Sequence, residues 1–143
     1  MQEQVRKERL RAMTDLLTEL PNREAWQERL SFEYNRWQRY SHPLTIGVLD
    51  IDLFKRINDS YGHKAGDRVL QLVAREFRDR LRTTDFVAHF RGEPVTVTFS
   101  AGLAGFIAGD TEESVFDRAD RALYQAKDAG RDQVMISDSA DVQ

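Results

Sequence analysis

Residues 44–52, LTIGVLDID, constrain the fold more than any other stretch of the chain. The run is short, apolar and rich in residues that favour strands, a pattern that suits a strand buried within a sheet. Something must therefore cover it. The flanking segments supply that cover as helical stripes. Pro21 interrupts the chain, after which Asn22 can cap a helix carrying Trp26, Leu30, Tyr34 and Trp37 on one side, through about Tyr40. Residues 53–60 read as a helical turn and YGHKAG as a glycine-bounded loop. Asp67 then starts a helix with Val69, Leu70, Val73, Phe77 and Leu81 on one face. A strand (DFVAHF), a tight turn (RGEP) and one long strand (VTVTFSAGLAGF) follow. The last helix, about Glu112 to Ala129, turns Val115, Phe116, Ala119, Ala122, Leu123 and Ala126 inward, stops at Gly130 and leads to a strand QVMIS.

This order predicts an α/β fold of the α+β sandwich kind, with helices over a mostly antiparallel central sheet and the strand-end acids at one edge. The expected divisions are a linker helix over 1–14, one domain over 15–137 and a disordered tail over 138–143. Residues 1–17 carry a sparse apolar stripe, read as a solvated lead-in helix or as a signalling helix pairing with its copy below an upstream sensory domain.

A length of 143 residues suits one packed domain, and 41% hydrophobic with 31% charged residues is a globular composition. The formal net charge of −3 argues against a duplex nucleic acid polymer as partner but leaves room for a phosphorylated small molecule. There is no cysteine, which removes thiolate chemistry and cysteine-bound zinc. No apolar run approaches the roughly 18 residues of a membrane span, and the first ten residues are charged, unlike a secretory signal. The chain is expected to be cytoplasmic, with no membrane segment of its own.

Chemistry concentrates where strands and helices end. Asp50 and Asp52 lie two apart, so both face one way while the strand continues. Such a pair can hold Mg²⁺ against a triphosphate, or can be a solvated strand end or helix cap. Asn58 and Asp67 flank the following loop. An amide and a carboxylate can read a guanine edge, yet Asp67 is also a natural helix cap and Asn58 a common turn residue. Lys127 and Arg131 stand where the last long helix ends. They either offset its negative terminus or clamp phosphates, and spacing alone does not choose.

The segments DLLTELPNR (15–23), LDIDLFKRINDSYGHKAGD (49–67), VTVTFSAGLA (95–104) and DRADRALYQAKDAGR (117–131) together resemble a GGDEF domain, the diguanylate cyclase family, in that family's order. The resemblance implies a palm-like, nucleotidyl cyclase-like fold. It implies that Asp50 and the Ile51 carbonyl bind Mg²⁺, with Mn²⁺ the other candidate. It places the backbone of Phe54 and Lys55 near phosphate, Asn58 and Asp67 on guanine, and Lys127 and Arg131 on the terminal phosphates. Two such domains, each with one GTP, would form cyclic di-GMP and release pyrophosphate. Arg82 and Asp85 fit the family's R-x-x-D product-inhibition pattern.

One departure stands out. The slot for the family's signature turn reads Arg91-Gly92-Glu93-Pro94-Val95, where Glu93 could serve as the first acid and metal ligand but Pro94 cannot be the second. A rival alignment, which we favour, makes this stretch the lead-in to a later strand, with the signature, one strand and one helix missing together. Asp15 to Ser137 is short of a whole family domain by about that amount. The chain is then expected to be inactive or very weak as a cyclase. The competing expectations are a degenerate module that binds GTP or cyclic di-GMP, and a structural dimerisation domain. Exposed strand edges would favour a homodimer or strand-swapped oligomer.

Overall fold

The computed structural model describes residues 4–5, 12–80, 86–90 and 93–137, with the backbone alone at residues 80, 86–90 and 93–96. Two compact units emerge, Met1–Phe32 with Lys55–Arg82 and Glu33–Phe54 with Thr83–Gln143. In chain order the named elements are α1 (Arg23–Tyr40), β1 (Thr45–Ile51), α2 (Phe54–Tyr61), α3 (His63–Arg80), β2 (Phe86–Phe90), β3 (Glu93–Val97), β4 (Phe99–Gly105), α4 (Glu112–Asp128) and β5 (Val134–Ile136). The α+β class expected from the sequence is what forms.

In the first unit the chain turns sharply before α1. The helical residues Ala12 and Met13 give way to a bridge between Thr14 and Pro21, so helix does not continue to Leu17. Asp15 explains the stop. Its carboxylate accepts from the Thr18 amide at 2.9 Å and the Thr18 hydroxyl at 2.8 Å, an alternative to helical hydrogen bonding. These bonds hold the Asp15 carboxyl below the usual carboxylate range. Asn22 caps α1 as its sequence suggests, accepting from the Ala25 amide at 3.1 Å.

The loop expected at YGHKAG shrinks to one residue. Gly62, at a φ of 92°, breaks α2 from α3, and helix resumes at His63. Asp67 therefore lies inside α3 and is not its cap. Gly66 is helical for a packing reason: a Cβ there would come within 1.8 Å of the Asn58 side-chain oxygen.

The second unit holds a three-stranded sheet in the order β1-β4-β5. β1 runs antiparallel to β4 and β5 parallel to it. α4 lies over this sheet with Val115, Ala119, Ala122, Leu123 and Ala126 buried, as the periodicity indicates. Phe116 departs from that pattern and is 39% exposed. The approach is closest at Gly102 of β4, where a Cβ would meet the Ala119 carbonyl oxygen at 2.1 Å and the Leu123 nitrogen at 2.3 Å. A buried ion pair ties the α4 start to the β4 end. Arg118 bonds Asp110 and donates to the Gly105 carbonyl at 2.8 Å, while Asp110 also accepts from the Ile107 amide and the Ser114 hydroxyl. Thr111 caps the helix in a reciprocal capping box with Ser114.

β2 and β3 form a separate antiparallel hairpin, with Phe90 opposite Glu93 across residues 91–92. Of the turn expected at RGEP, Glu93 and Pro94 belong to β3, and Arg91 and Gly92 lie outside the described residues. The expected single strand over 95–106 divides instead. Thr98 interrupts it, β3 pairing with β2 and β4 with β1.

Candidate functional site

The two carboxylates of the β1 end do not share one environment. β1 stops at Ile51, and Leu53 takes a φ of 56°, so the alternation that would keep Asp50 and Asp52 alike ends between them. The Asp50 side chain is 49% exposed, whereas Asp52 is buried at 8%. Asp52 accepts from the Thr98 hydroxyl at 2.8 Å, the Ser100 hydroxyl at 2.7 Å and the Asp132 amide at 2.9 Å. Its own amide donates to the Thr98 carbonyl at 3.0 Å. A carboxylate so fully hydrogen-bonded is a structural anchor, with little capacity left for a metal.

Asp50 meets Lys127. The ammonium group bonds the carboxylate directly, and that hydrogen bond raises the Lys127 pKa above its ordinary value against a smaller opposing effect of burial. Lys127 reaches Asp50 from the last turn of α4, with its ammonium 5.8 Å from the Tyr124 ring centroid. Beyond it, the Gly130 amide donates to the Lys127 carbonyl and the Arg131 amide to the Ala126 carbonyl, a Schellman ending. Gly130, Arg131 and Asp132 all take positive φ, at 116°, 65° and 50°. Two non-glycine residues in that region are held there in part by Asp52, which receives the Asp132 amide. Asp52, Thr98, Ser100 and Asp132 thus form a support for the site that the sequence reading passed over. The D-x-D spacing was visible, but only the fold shows that its second acid turns inward.

The other candidates lie apart in chain terms. Asn58 sits in α2 and packs against the α3 backbone at Gly66, next to exposed Asp67. Lys55 is exposed in the first turn of α2, which begins at Phe54. Glu93 opens β3, and its side chain is not among those described. Arg82 and Asp85 lie outside the described residues. No group of three or more acidic or histidine side chains able to hold a metal occurs among the described residues. Asp50 is an exposed carboxylate of the oxygen type that Mg²⁺ favours, and the Lys127 ammonium bonded to it is the group that a divalent cation would have to displace.

Comparison with known proteins gives the family. The family described as "Diguanylate cyclase, GGDEF domain" matches residues 12–97. Diguanylate cyclase DgcP of Pseudomonas aeruginosa is 42% identical over 165 aligned residues, covering 91% of this chain and 25% of DgcP. Response regulator PleD of Caulobacter vibrioides is 32% identical over 162, covering 87% of this chain and 36% of PleD. This chain thus spans about a quarter to a third of such relatives. Since 91% of 143 residues is about 130, the 165-residue alignment sets about 35 positions of DgcP opposite gaps. Among solved structures, the coiled coil and GGDEF domain of DgcB from Caulobacter crescentus, in complex with c-di-GMP, superposes with a TM-score of 0.83 at 28% identity. It covers 94% of this chain and 91% of that one. The diguanylate cyclase SiaD of Pseudomonas aeruginosa, in complex with its activator SiaC, gives 0.80 at 30% identity, covering 94% and 67%. With the family match running over more than half its length, the chain belongs to the GGDEF-domain family of diguanylate cyclases.

Proposed function

We propose that this chain binds GTP as a diguanylate cyclase domain whose turnover to cyclic di-GMP and pyrophosphate is very low. The observation that carries the nucleotide reading is the Asp50–Lys127 pair braced by Asp52: one anionic and one cationic group, held at a strand end and a helix end in a chain of this family. Lys127 and Arg131 neutralise the terminal phosphates, Lys127 as a point charge and Arg131 as a planar fork. Asp50 and the Ile51 carbonyl would hold Mg²⁺ or Mn²⁺, and that cation would supply positive charge to offset the phosphates. The backbone of Phe54 and Lys55 lies along the phosphates. Asn58 and Asp67 read guanine, Asp67 accepting from the ring N–H and the exocyclic amine.

Low turnover rests on the signature slot. Glu93 is the only acid left in it, Pro94 stands where a second is needed, and about 35 aligned positions of DgcP have no counterpart here. Arg82 and Asp85 remain the proposed contact for cyclic di-GMP, and a homodimer or strand-exchanged oligomer the proposed assembly. Incubation with GTP and Mg²⁺ followed by chromatography tests the reaction, with binding measured alongside by calorimetry. Measurable GTP affinity with little or no cyclic di-GMP is expected. Product accumulating as fast as from an intact cyclase overturns the impairment, and GTP that does not bind overturns the nucleotide reading.

A further inference from the structure

In the first unit, one face of α3 carries a row of cations. Arg68, Gln71, Arg75 and Arg78 follow at intervals of three, four and three, so all four project on one side of the helix. The turn of residues 16–19 packs against this row and, with it, encloses a pocket of about 330 Å³. Two of the four side chains fasten the turn: Gln71 donates to the Leu17 carbonyl at 3.4 Å, and Arg78 to the Thr18 carbonyl at 3.0 Å. The other two line the same pocket without such a task. Neither Arg68 nor Arg75 makes a hydrogen bond or ion pair with any described residue. Among the described lining residues the one carboxylate is that of Glu19, set against three guanidinium groups.

Arginines three apart on a helix repel one another, and a cluster with a single acid leaves that repulsion largely uncompensated. The walls are held in place independently of the free arginines. The turn has its own bonds, with the Asp15 amide donating to Leu20, the Glu19 amide to Asp15 and the Asn22 amide to Met13. The result is a small, preformed and positively charged recess. Arg68 and Arg75 stand two helical turns apart, about 10.5 Å along the axis, within reach of one another's ligand through their long side chains. A single carboxylate would meet only one planar fork, whereas linked phosphates present several charged oxygens to several forks at once.

We infer that this recess binds a small di- or oligophosphate anion through Arg68 and Arg75, with Arg78 contributing charge. This site shares no residue with the proposed cyclase chemistry and does not rest on it. The probe is inorganic pyrophosphate, followed by calorimetry and by amide shifts over residues 16–19 and 68–78. Because Lys127 and Arg131 would also attract it, the measurement is made in the Lys127→Gln, Arg131→Gln variant as well as in the unaltered chain. Binding that persists in that variant and weakens by about tenfold or more on adding Arg68→Gln and Arg75→Gln, with an unchanged melting temperature, is the expected result. Added salt weakens it further. Pyrophosphate that fails to bind the Lys127→Gln, Arg131→Gln variant, or that binds equally well after the two α3 substitutions, overturns the site. Sulfate binding as tightly as pyrophosphate overturns the oligophosphate assignment.

Discussion

At the scale of single residues, Asp52 shows how much of a site is support. The sequence places it level with Asp50, but three donors satisfy it and one of them, the Asp132 amide, lies in the connection from α4 to β5. Asp52→Asn retains the shape and loses acceptor strength, so a loss of about 1–3 kcal/mol is expected by denaturant titration. Amide exchange at Asp132 should speed up beyond that global change. Lys127 offers a second check, through pH. Its folded pKa is raised, so the pair's contribution is fully present below the ordinary lysine range and disappears as pH rises through the elevated value. Asp50→Asn should bring that titration down toward the ordinary range, read from the side-chain signals of Lys127 by NMR. Asp110 and Arg118 behave differently because both are buried, at 6% exposure each. Arg118→Met strands a buried carboxylate and should cost about 3–5 kcal/mol, measured in the same titrations.

At the scale of elements, close approaches decide function as well as stability. α4 can sit on β4 only because Gly102 has no side chain, and the atoms in the way are backbone atoms that cannot turn aside. Gly102→Ala is expected to cost about 1–3 kcal/mol or more through forced separation of helix and sheet, seen as a lowered melting temperature. Gly66→Ala meets only the Asn58 side chain, which can swing away. The fold should survive that change, with helix propensity even improved, while GTP affinity falls because the displaced amide is the one proposed to read guanine. These glycines also show where sequence reading fell short. YGHKAG looked like a loop because two glycines bracket it, yet only Gly62 needs a left-handed φ; Gly66 is glycine for want of space. The long strand over 95–106 was legible as β structure, but its division at Thr98 depends on which partner each half finds, and that is set by tertiary pairing.

For the molecule as a whole, the elements that read most clearly were those with a strong local signal. α1 begins after Asn22 and ends at Tyr40, α4 ends before Gly130, and β1 fills the apolar run. The pairing of Lys127 with the β1 end was invisible to spacing alone, since Lys127 and Asp50 are distant in sequence and meet only through the stacking of α4 on the sheet. β1 pairs with β4 on one side, and no other strand joins its far edge among the described residues. An open edge of this kind favours self-association, so light scattering across a concentration series should show species larger than one chain.

The interruption at Thr98 has one more bearing. Immediately upstream of it the polypeptide serves a hairpin, and downstream it joins a ladder with β1 and β5. Such an arrangement lets the hairpin vary in length without rewriting the register of the β1–β4 ladder that locates Asp50.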